Sequence, residues 1–278
     1  MRCRLAGLLA LLMSTSAGAQ WLNHPDPTIP RLEDGKPNLS AAAPRTSDGK
    51  PDLSGVWQVE PSPPEEIQRV FAGNSTGTAP LDPTVPRVKY RLNILADFKR
   101  EEEPMRPEAA ALFQQRLQTL GKDIPTSHCL PGGIPFSTQI APFKFVQTPG
   151  LIVMLLEDNN PPRQIYLDGR KLPVDPHPTF MGYSSGTWQG DTLVVDSAGF
   201  NDRTWLDGFG HPHSEALHLI ERFRRRDFGH MDVEVTVDDP KMYTRTFTIK
   251  FTARLLPDTD ILESVCAENE KDRVHLDR

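Results

Sequence analysis

The clearest signal along the chain is a two-residue alternation of apolar and polar positions in its second half. Phe247, Ile249, Phe251, Ala253 and Leu255 interleave with Thr246, Thr248, Lys250, Thr252 and Arg254, and Met231, Val233, Val235 and Val237 interleave with Asp232, Glu234, Thr236 and Asp238. Successive side chains of a strand point to opposite faces, so each run predicts an antiparallel strand with one face in a core and the other in water. Pro149-Gly150, Asp168-Gly169, Gln189-Gly190 and Asp227-Phe228-Gly229 are turn signals that separate strand-like runs. The pattern predicts about nine strands between Phe143 and Glu268, and Gly55 to Glu60 reads as a possible extra one. A meander of that length hides its edges most completely by closing on itself. The expected fold class is therefore all-β and mainly antiparallel, an up-and-down β-barrel, with a two-sheet sandwich as the alternative.

Upstream of the strands the periodicity is lost. "PRLEDGKPNLSA" from Pro30 is echoed by "PRTSDGKPDLSG" from Pro44, and Asp-Gly-Lys-Pro is turn chemistry, so residues 20–54 read as an arm of repeated turns. Residues 55–142 hold the first strand, a proline-rich wrap and one helix. The stretch Pro61 to Pro104 shows no period and reads as an irregular wrap or linker. Pro107 to Leu120 predicts the helix, with proline near its start, Leu112, Phe113, Leu117 and Leu120 on one side, and Gly121 after its end. Residues 143–278 form the expected barrel core.

The first residues change the expected compartment. Arg2 and Arg4 precede an apolar run from Leu5 to Met13 and a small-residue stretch ending at Ala19, which reads as a secretory signal peptide over residues 1–19. The run is too short to span a bilayer, which takes roughly 20 apolar residues, so no membrane insertion is expected after signal removal. Losing two arginines and no acid takes the formal charge from −6 to −8, which argues against nucleic acid as a partner. Cys129 and Cys266 then remain as a pair in an oxidising compartment, where a disulfide is the simplest expectation. A nucleophilic thiol, with His128 as its local base, is the alternative.

"GVW" at Gly55 to Trp57 resembles the Gly-x-Trp that opens lipocalin-type barrels, in which the indole plugs one end. That resemblance implies a lipocalin-like barrel. Over most of its length the chain also resembles a group of exported bacterial β-rich proteins of unassigned function. The stretches that carry this are "PDLSGVWQ", "CLPGGIPF", "VQTPGLIVML", "GDTLVVDSAGFNDRTWLD", "GHPHSEALHLIERFRRRD" and "CAENEKDRVHL". The resemblance implies export, a β-rich fold and the cysteine pair, and it supplies no mechanism.

Candidate chemistry concentrates between Ser197 and a strand beginning near Ala216. A loop of that length held at both ends by a barrel is where binding and catalytic groups tend to be placed. Asn201, Arg203, Trp205, Asp207, His211, His213 and Glu215 offer donors, acceptors and a large ring. His211-x-His213 would present two imidazoles on one side of an extended segment, with Glu215, His218 or Glu221 as a third metal ligand. The motif resembles that of cupins, but the spacing to Glu221 is too long. In a metal-free site a histidine exchanges protons near neutrality and a carboxylate, Asp207 or Glu215, fixes its tautomer. Exposed loop polars with no joint role are the third reading. The sequence is read as holding no Gly-x-Ser-x-Gly elbow, phosphate loop or dinucleotide fingerprint, which disfavours acyl-serine chemistry and nucleotide use.

Glu221 shares a face with Leu217, Leu219 and Phe223, opposite His218, Ile220, Arg222 and Arg224. An inward carboxylate needs an arginine, a hydrogen-bond network, a metal or cavity water beside it; a bulge that turns it outward is the alternative. "RFRRRD", Arg222 to Asp227, reads as solvated faces matched by Asp232 and Glu234. The expectation is therefore a cavity for a small, mostly apolar molecule, with His211, His213, Asp207 and Glu221 as acid–base groups and Arg203, Trp205, Tyr183 and Asn201 as substrate contacts. No cofactor and no metal is expected. An enzyme (lyase, isomerase or hydrolase), a non-catalytic periplasmic binding protein and a metalloprotein on the His-x-His loop all remain open, as does the oligomeric state.

Overall fold

The computed structural model describes residues 24–74, 87–119, 121–158 and 160–266. The signal peptide expected at residues 1–19, the first residues of the arm and Leu120 lie outside the described residues.

Nine strands close into one barrel: β1 (Gly55–Val59), β2 (Phe143–Thr148), β3 (Leu151–Leu156), β4 (Arg163–Tyr166), β5 (Tyr183–Gln189), β6 (Thr192–Ala198), β7 (His218–Arg225), β8 (His230–Asp238) and β9 (Phe247–Leu255). The ring is completed where Trp57 of β1 lies opposite Leu255 of β9. The sandwich is thereby replaced by a closed barrel. Gly55 to Glu60 does supply a strand, and eight strands rather than nine follow Phe143.

An odd ring cannot alternate direction throughout, so one neighbouring pair must be parallel. It is β4 with β5, joined through Ile165–Ser184 and Tyr166–Ser185 alone. The strictly up-and-down meander is corrected here. The Asp168-Gly169 turn exists, with Gly169 at φ 79°, but it opens a connection over 167–182 that returns the chain to the other end of the barrel before β5 begins.

Alternation places the expected side chains inside. Met231, Val233, Val235 and Val237 of β8 are at most 2% exposed, as are Leu219 and Phe223 of β7. They join Phe143, Phe145, Ile152, Met154 and Leu193 in one contiguous core.

The proline-rich wrap, in its described residues, is more ordered than its composition suggests. It holds helix α1 (Pro64–Asn74) and a single turn α2 (Lys89–Leu92). Proline is favourable in a first helical turn and acidic Glu65 and Glu66 complement the helix dipole there, while Ile67 and Val70 are the buried contacts. Helix α3 (Pro107–Gln118) lies where the sequence predicts it, with Ala109 and Phe113 buried. Among the described residues no helix is long and apolar enough to cross a membrane.

The two barrel ends are built differently. One end carries the β2–β3, β5–β6 and β7–β8 turns and is covered by the arm. Each repeat copy forms the same turn: Leu32 and Thr46 donate their backbone N–H to Lys36 and Lys50, and Asn38 and Asp52 donate to Pro30 and Pro44. Arg31 then reaches Asp258 at 2.6 Å and Arg45 reaches Asp191 at 2.8 Å. Inside this end Trp57 is fully buried, its indole N–H donating to Leu53 O at 2.9 Å with the Arg225 guanidinium 4.9 Å from its ring. The other end carries the 199–217 and 239–246 loops, α3 and the segment around Cys129. Cys129 is disulfide-bonded to Cys266, tying the chain after α3 to the chain after β9.

Candidate functional site

The 199–217 loop is organised around one carboxylate. Asp207 Oδ1 accepts the backbone N–H groups of Phe209, Gly210 and His211 at 3.0, 2.9 and 3.1 Å. Its Oδ2 accepts Ile94 N–H at 2.6 Å and lies 2.5 Å from His211 Nδ1. Short polar side chains commonly bond the backbone two to four residues on; here that habit coils the loop tightly enough to bring His211 back over Asp207. Gly210, at φ 104°, makes the turn sterically possible.

The consequence is a carboxylate–imidazole pair with fixed roles. A carboxylate only accepts, so in the neutral ring Nδ1 carries the proton and Nε2 holds the lone pair. Phe113 of α3 stacks on the ring at 4.1 Å and 22°. Asp207 and His211 are both fully buried. Among the described residues three buried side-chain polar atoms have no hydrogen-bond partner: Arg87 Nε, Gln139 Oε1 and His211 Nε2. Of these, only the imidazole nitrogen carries a basic lone pair.

His213 is arranged differently although it lies two residues away. Its Nδ1 faces Ser214 O at 3.2 Å and its Nε2 faces Thr204 Oγ1 at 2.6 Å. A carbonyl cannot donate, so Nδ1 donates and Nε2 accepts the threonine proton. Both nitrogens are therefore occupied, and burial holds the pKa below its ordinary 6.5. The surrounding wall is charged and mostly buried. Ser214 is held by Asp239 through its N–H at 2.6 Å and its hydroxyl at 2.8 Å. The Tyr243 hydroxyl donates to Pro212 O at 2.8 Å, and burial pushes its pKa well up. Arg116 of α3 donates to Gly210 O at 3.0 Å and lies 4.8 Å from the Trp205 ring; burial brings its pKa down to about 10. Burial raises the Glu103 carboxyl above its ordinary range.

Glu221 points inward, as the face analysis expects, and it is 1% exposed. Its partner is Arg163 of β4, whose Nη1 donates to Oε1 at 3.0 Å and whose Nη2 donates to Oε2. The same guanidinium donates from Nε to Ser184 Oγ at 3.0 Å and from Nη2 to Ser197 Oγ at 2.8 Å. Four consecutive strands, β4 to β7, are thus joined across the parallel seam. Glu221 is bound to Arg163 in the barrel interior, whereas His211 is held by Asp207 and His213 by Thr204 and Ser214; among the described residues no hydrogen bond joins Glu221 to either histidine.

The expected substrate contacts are also dispersed. Trp205 and Asn201 are buried, and Asn201 Oδ1 accepts Arg203 N–H at 3.1 Å. Arg203 is exposed, with its guanidinium 5.1 Å from the Phe180 ring. Tyr183 stands on the outer face of β5 and donates to His177 O at 3.2 Å, so it does not line the interior. Glu215 is exposed, and His218 on the outer face of β7 lies 3.3 Å from Asp196. Among the described residues no three His, Cys, Asp or Glu side chains converge as a metal site.

Gly182-Tyr183-Ser184-Ser185-Gly186 does have Gly-x-Ser-x-Gly spacing, contrary to the sequence reading. Ser184 lies within a strand, points into the barrel and bonds Arg163 and Ser197. It is not the strand-to-helix elbow that the motif requires. Sequence reasoning also missed Arg163, Thr204, Phe113 and Glu103. Arg163 had a signal, since it alternates with the apolar Ile165 on the inward face of β4.

The site and fold together define a nine-stranded closed barrel with a sealed Asp–His pair beneath a helix. Comparison of the chain with protein-family models, with curated proteins and with solved structures returned no match.

Proposed function

We propose that the chain is an exported, lipocalin-like barrel enzyme that transfers protons on a small, mostly apolar molecule without a metal. His211 is the proton acceptor and Asp207 the carboxylate that orients it. The observation that carries this reading is the buried, unpartnered Nε2 of a ring whose other nitrogen is fixed by a carboxylate. Leaving a buried polar atom unmade costs about 1–3 kcal/mol, and such a cost persists most readily where the atom has a task. Proton uptake at Nε2 would create an imidazolium that Asp207 already faces. Elimination, isomerisation and hydrolysis all begin with such a step.

Several observations bear on the roles. His213 serves the loop rather than the reaction, because both its nitrogens are engaged. Glu221 serves the barrel, because Arg163 takes both its oxygens. His211 is fully buried with Phe113 stacked on its face, so a substrate reaches Nε2 only when the groups that cover the ring rearrange. The indole plug formed by Trp57 supports the lipocalin-like outline, and the Cys129–Cys266 bond supports an oxidising compartment. The resemblance to exported bacterial β-rich proteins is part of the same proposal.

The test is deuterium exchange. Purified protein is incubated in heavy water with a panel of small enolisable ketones and esters, and incorporation at carbon is followed by mass spectrometry. Wild-type protein should exchange at least one compound, and His211→Asn should slow that exchange roughly 10²–10⁴-fold. Equal exchange by His211→Asn and wild type contradicts the assignment. A second reading, a non-catalytic binding protein, is favoured by a cleft of about 760 Å³ at the arm end, remote from His211 and lined by Ile29, Val56, Phe228, Leu256 and Asp258 among others. A ligand recovered unchanged from that cleft would favour it.

A further inference from the structure

The acids that the sequence pairs with the arginine run after Glu221 neutralise only part of it. Glu234, opposite Arg222, is engaged by Lys250 at 2.7 Å. Asp232, opposite Arg224, is engaged by Arg226 at 2.8 Å. Arg222 instead donates to Gln189 Oε1 at 3.2 Å. At the arm end of the barrel Arg224, Arg225 and Arg226 face the second repeat copy across a pocket of about 320 Å³, whose other charged lining groups are Arg45 and Asp191. Both Asp191 oxygens are taken by Arg45, at 3.0 and 2.8 Å. Four guanidinium groups therefore line the pocket; Arg45 is paired with Asp191 and Arg226 with Asp232, so Arg224 and Arg225 carry the excess positive charge.

Arg225 is the least ordinary of the four. It is 5% exposed, and its donors go to carbonyl oxygens of Asp52, Ser54 and Phe228. Burial brings its pKa down to about 10. A guanidinium held by neutral carbonyls keeps its full charge, and the neighbouring Arg224 adds another at the pocket mouth. In a chain of formal charge −6 this local excess of positive charge opposes the overall sign.

We infer that this pocket, between the second repeat copy and the β7–β8 turn, binds an oxyanion, the phosphate or carboxylate group of a small molecule. Arginine suits that role because its planar fork matches two oxygens at once. Pro44 and Arg225 also line the larger cleft of about 760 Å³, so an oxyanion held at Arg224 leaves room for an apolar body running toward Phe228 and Leu256. The duplication acquires a role as well: the first copy clips the arm to the chain after β9 through Asp258, whereas the second copy supplies a wall of the pocket. The site is at the opposite end from His211 and stands whether or not His211 turns over a substrate.

The test uses the whole purified protein and two probes, inorganic phosphate and benzoate, each against sodium chloride at matched ionic strength. At least one probe should raise the melting temperature saturably, by about 5 °C at a hundredfold excess over Kd. Arg224 is exposed on the outer face of β7, so Arg224→Gln should melt as wild type does in chloride while losing at least about tenfold in affinity for that probe. Tighter binding of benzoate than of phosphate would assign an anion with an apolar body, and the reverse a bare oxyanion. Responses to both probes that match chloride would overturn the proposal, as would an Arg224→Gln variant that responds like wild type.

Discussion

Cutting the Arg163–Glu221 pair tests whether the barrel depends on a polar clamp at its weakest seam. Glu221→Leu removes the only carboxylate of the clamp and leaves Arg163, 1% exposed, with two serine hydroxyls. Stranding one member of a buried pair costs about 3–5 kcal/mol. For a chain of this size each kcal/mol moves the melting temperature by roughly 2–4 °C, so a fall on the order of 6–20 °C is expected. The double change Arg163→Met with Glu221→Leu removes both charges and both desolvation costs, and should recover most of that loss. Because β4 and β5 share only two register pairs, local opening should concentrate there: amide exchange in residues 163–166 and 183–189 should accelerate more than in β8. Calorimetry and hydrogen exchange on the wild type, both single variants and the double variant form a complete cycle. A Glu221→Leu protein that melts within about 1 °C of wild type would refute the reasoning, because a buried guanidinium cannot lose its counter-ion without consequence.

Three further outcomes follow from other parts of the molecule. His213 has a folded pKa depressed by burial below 6.5, so unfolded chains bind its proton more readily. Its contribution to stability is present above the unfolded value and declines as pH falls through 6.5 toward the lower folded value; melts between about pH 7 and pH 5 should lose less stability in His213→Gln than in wild type, and equal slopes would count against it. Reducing Cys129–Cys266 opens a loop of 137 residues, worth about 5 kcal/mol in the chain-entropy account, so melting in a strong reductant should drop clearly, and an unchanged melt of fully reduced protein would contradict that. Gly229 donates to Leu39 O at 2.7 Å, and an added Cβ would lie 2.4 Å from Leu39 Cβ. Gly229→Ala should therefore loosen the arm, seen as faster limited proteolysis within residues 30–52 while the barrel strands stay protected; unchanged cleavage would show that the arm can yield.

Much of the barrel was legible because its strands obey a local rule. The alternation of β8 and β9 gives their buried faces directly, and the inward position of Glu221 follows from the same parity. What escaped was non-local. The parallel junction follows from counting strands around a closed ring, and a miscount by one conceals it. Helix α1 hid behind prolines, although Glu65, Glu66, Ile67 and Val70 after Pro64 form a first turn and an apolar face. The site was legible in composition and not in grouping. Asp207 and His211 meet through a local coil, whereas Thr204 claims His213, Arg163 claims Glu221 across four strands, and Phe113 arrives from a helix nearly a hundred residues away. No spacing rule links those positions, because each contact depends on how the ends of the barrel are covered.

The central claim is that Asp207 fixes the His211 ring with its proton on Nδ1 and its lone pair on Nε2. Long-range proton–nitrogen NMR on protein labelled at histidine reads this directly, with His211→Asn used to assign the signal. In the neutral ring, a protonated Nδ1 and a bare Nε2, shifted further when Asp207→Asn removes the carboxylate, is the predicted result. A neutral ring that carries its proton on Nε2, or one indifferent to Asp207→Asn, would contradict it.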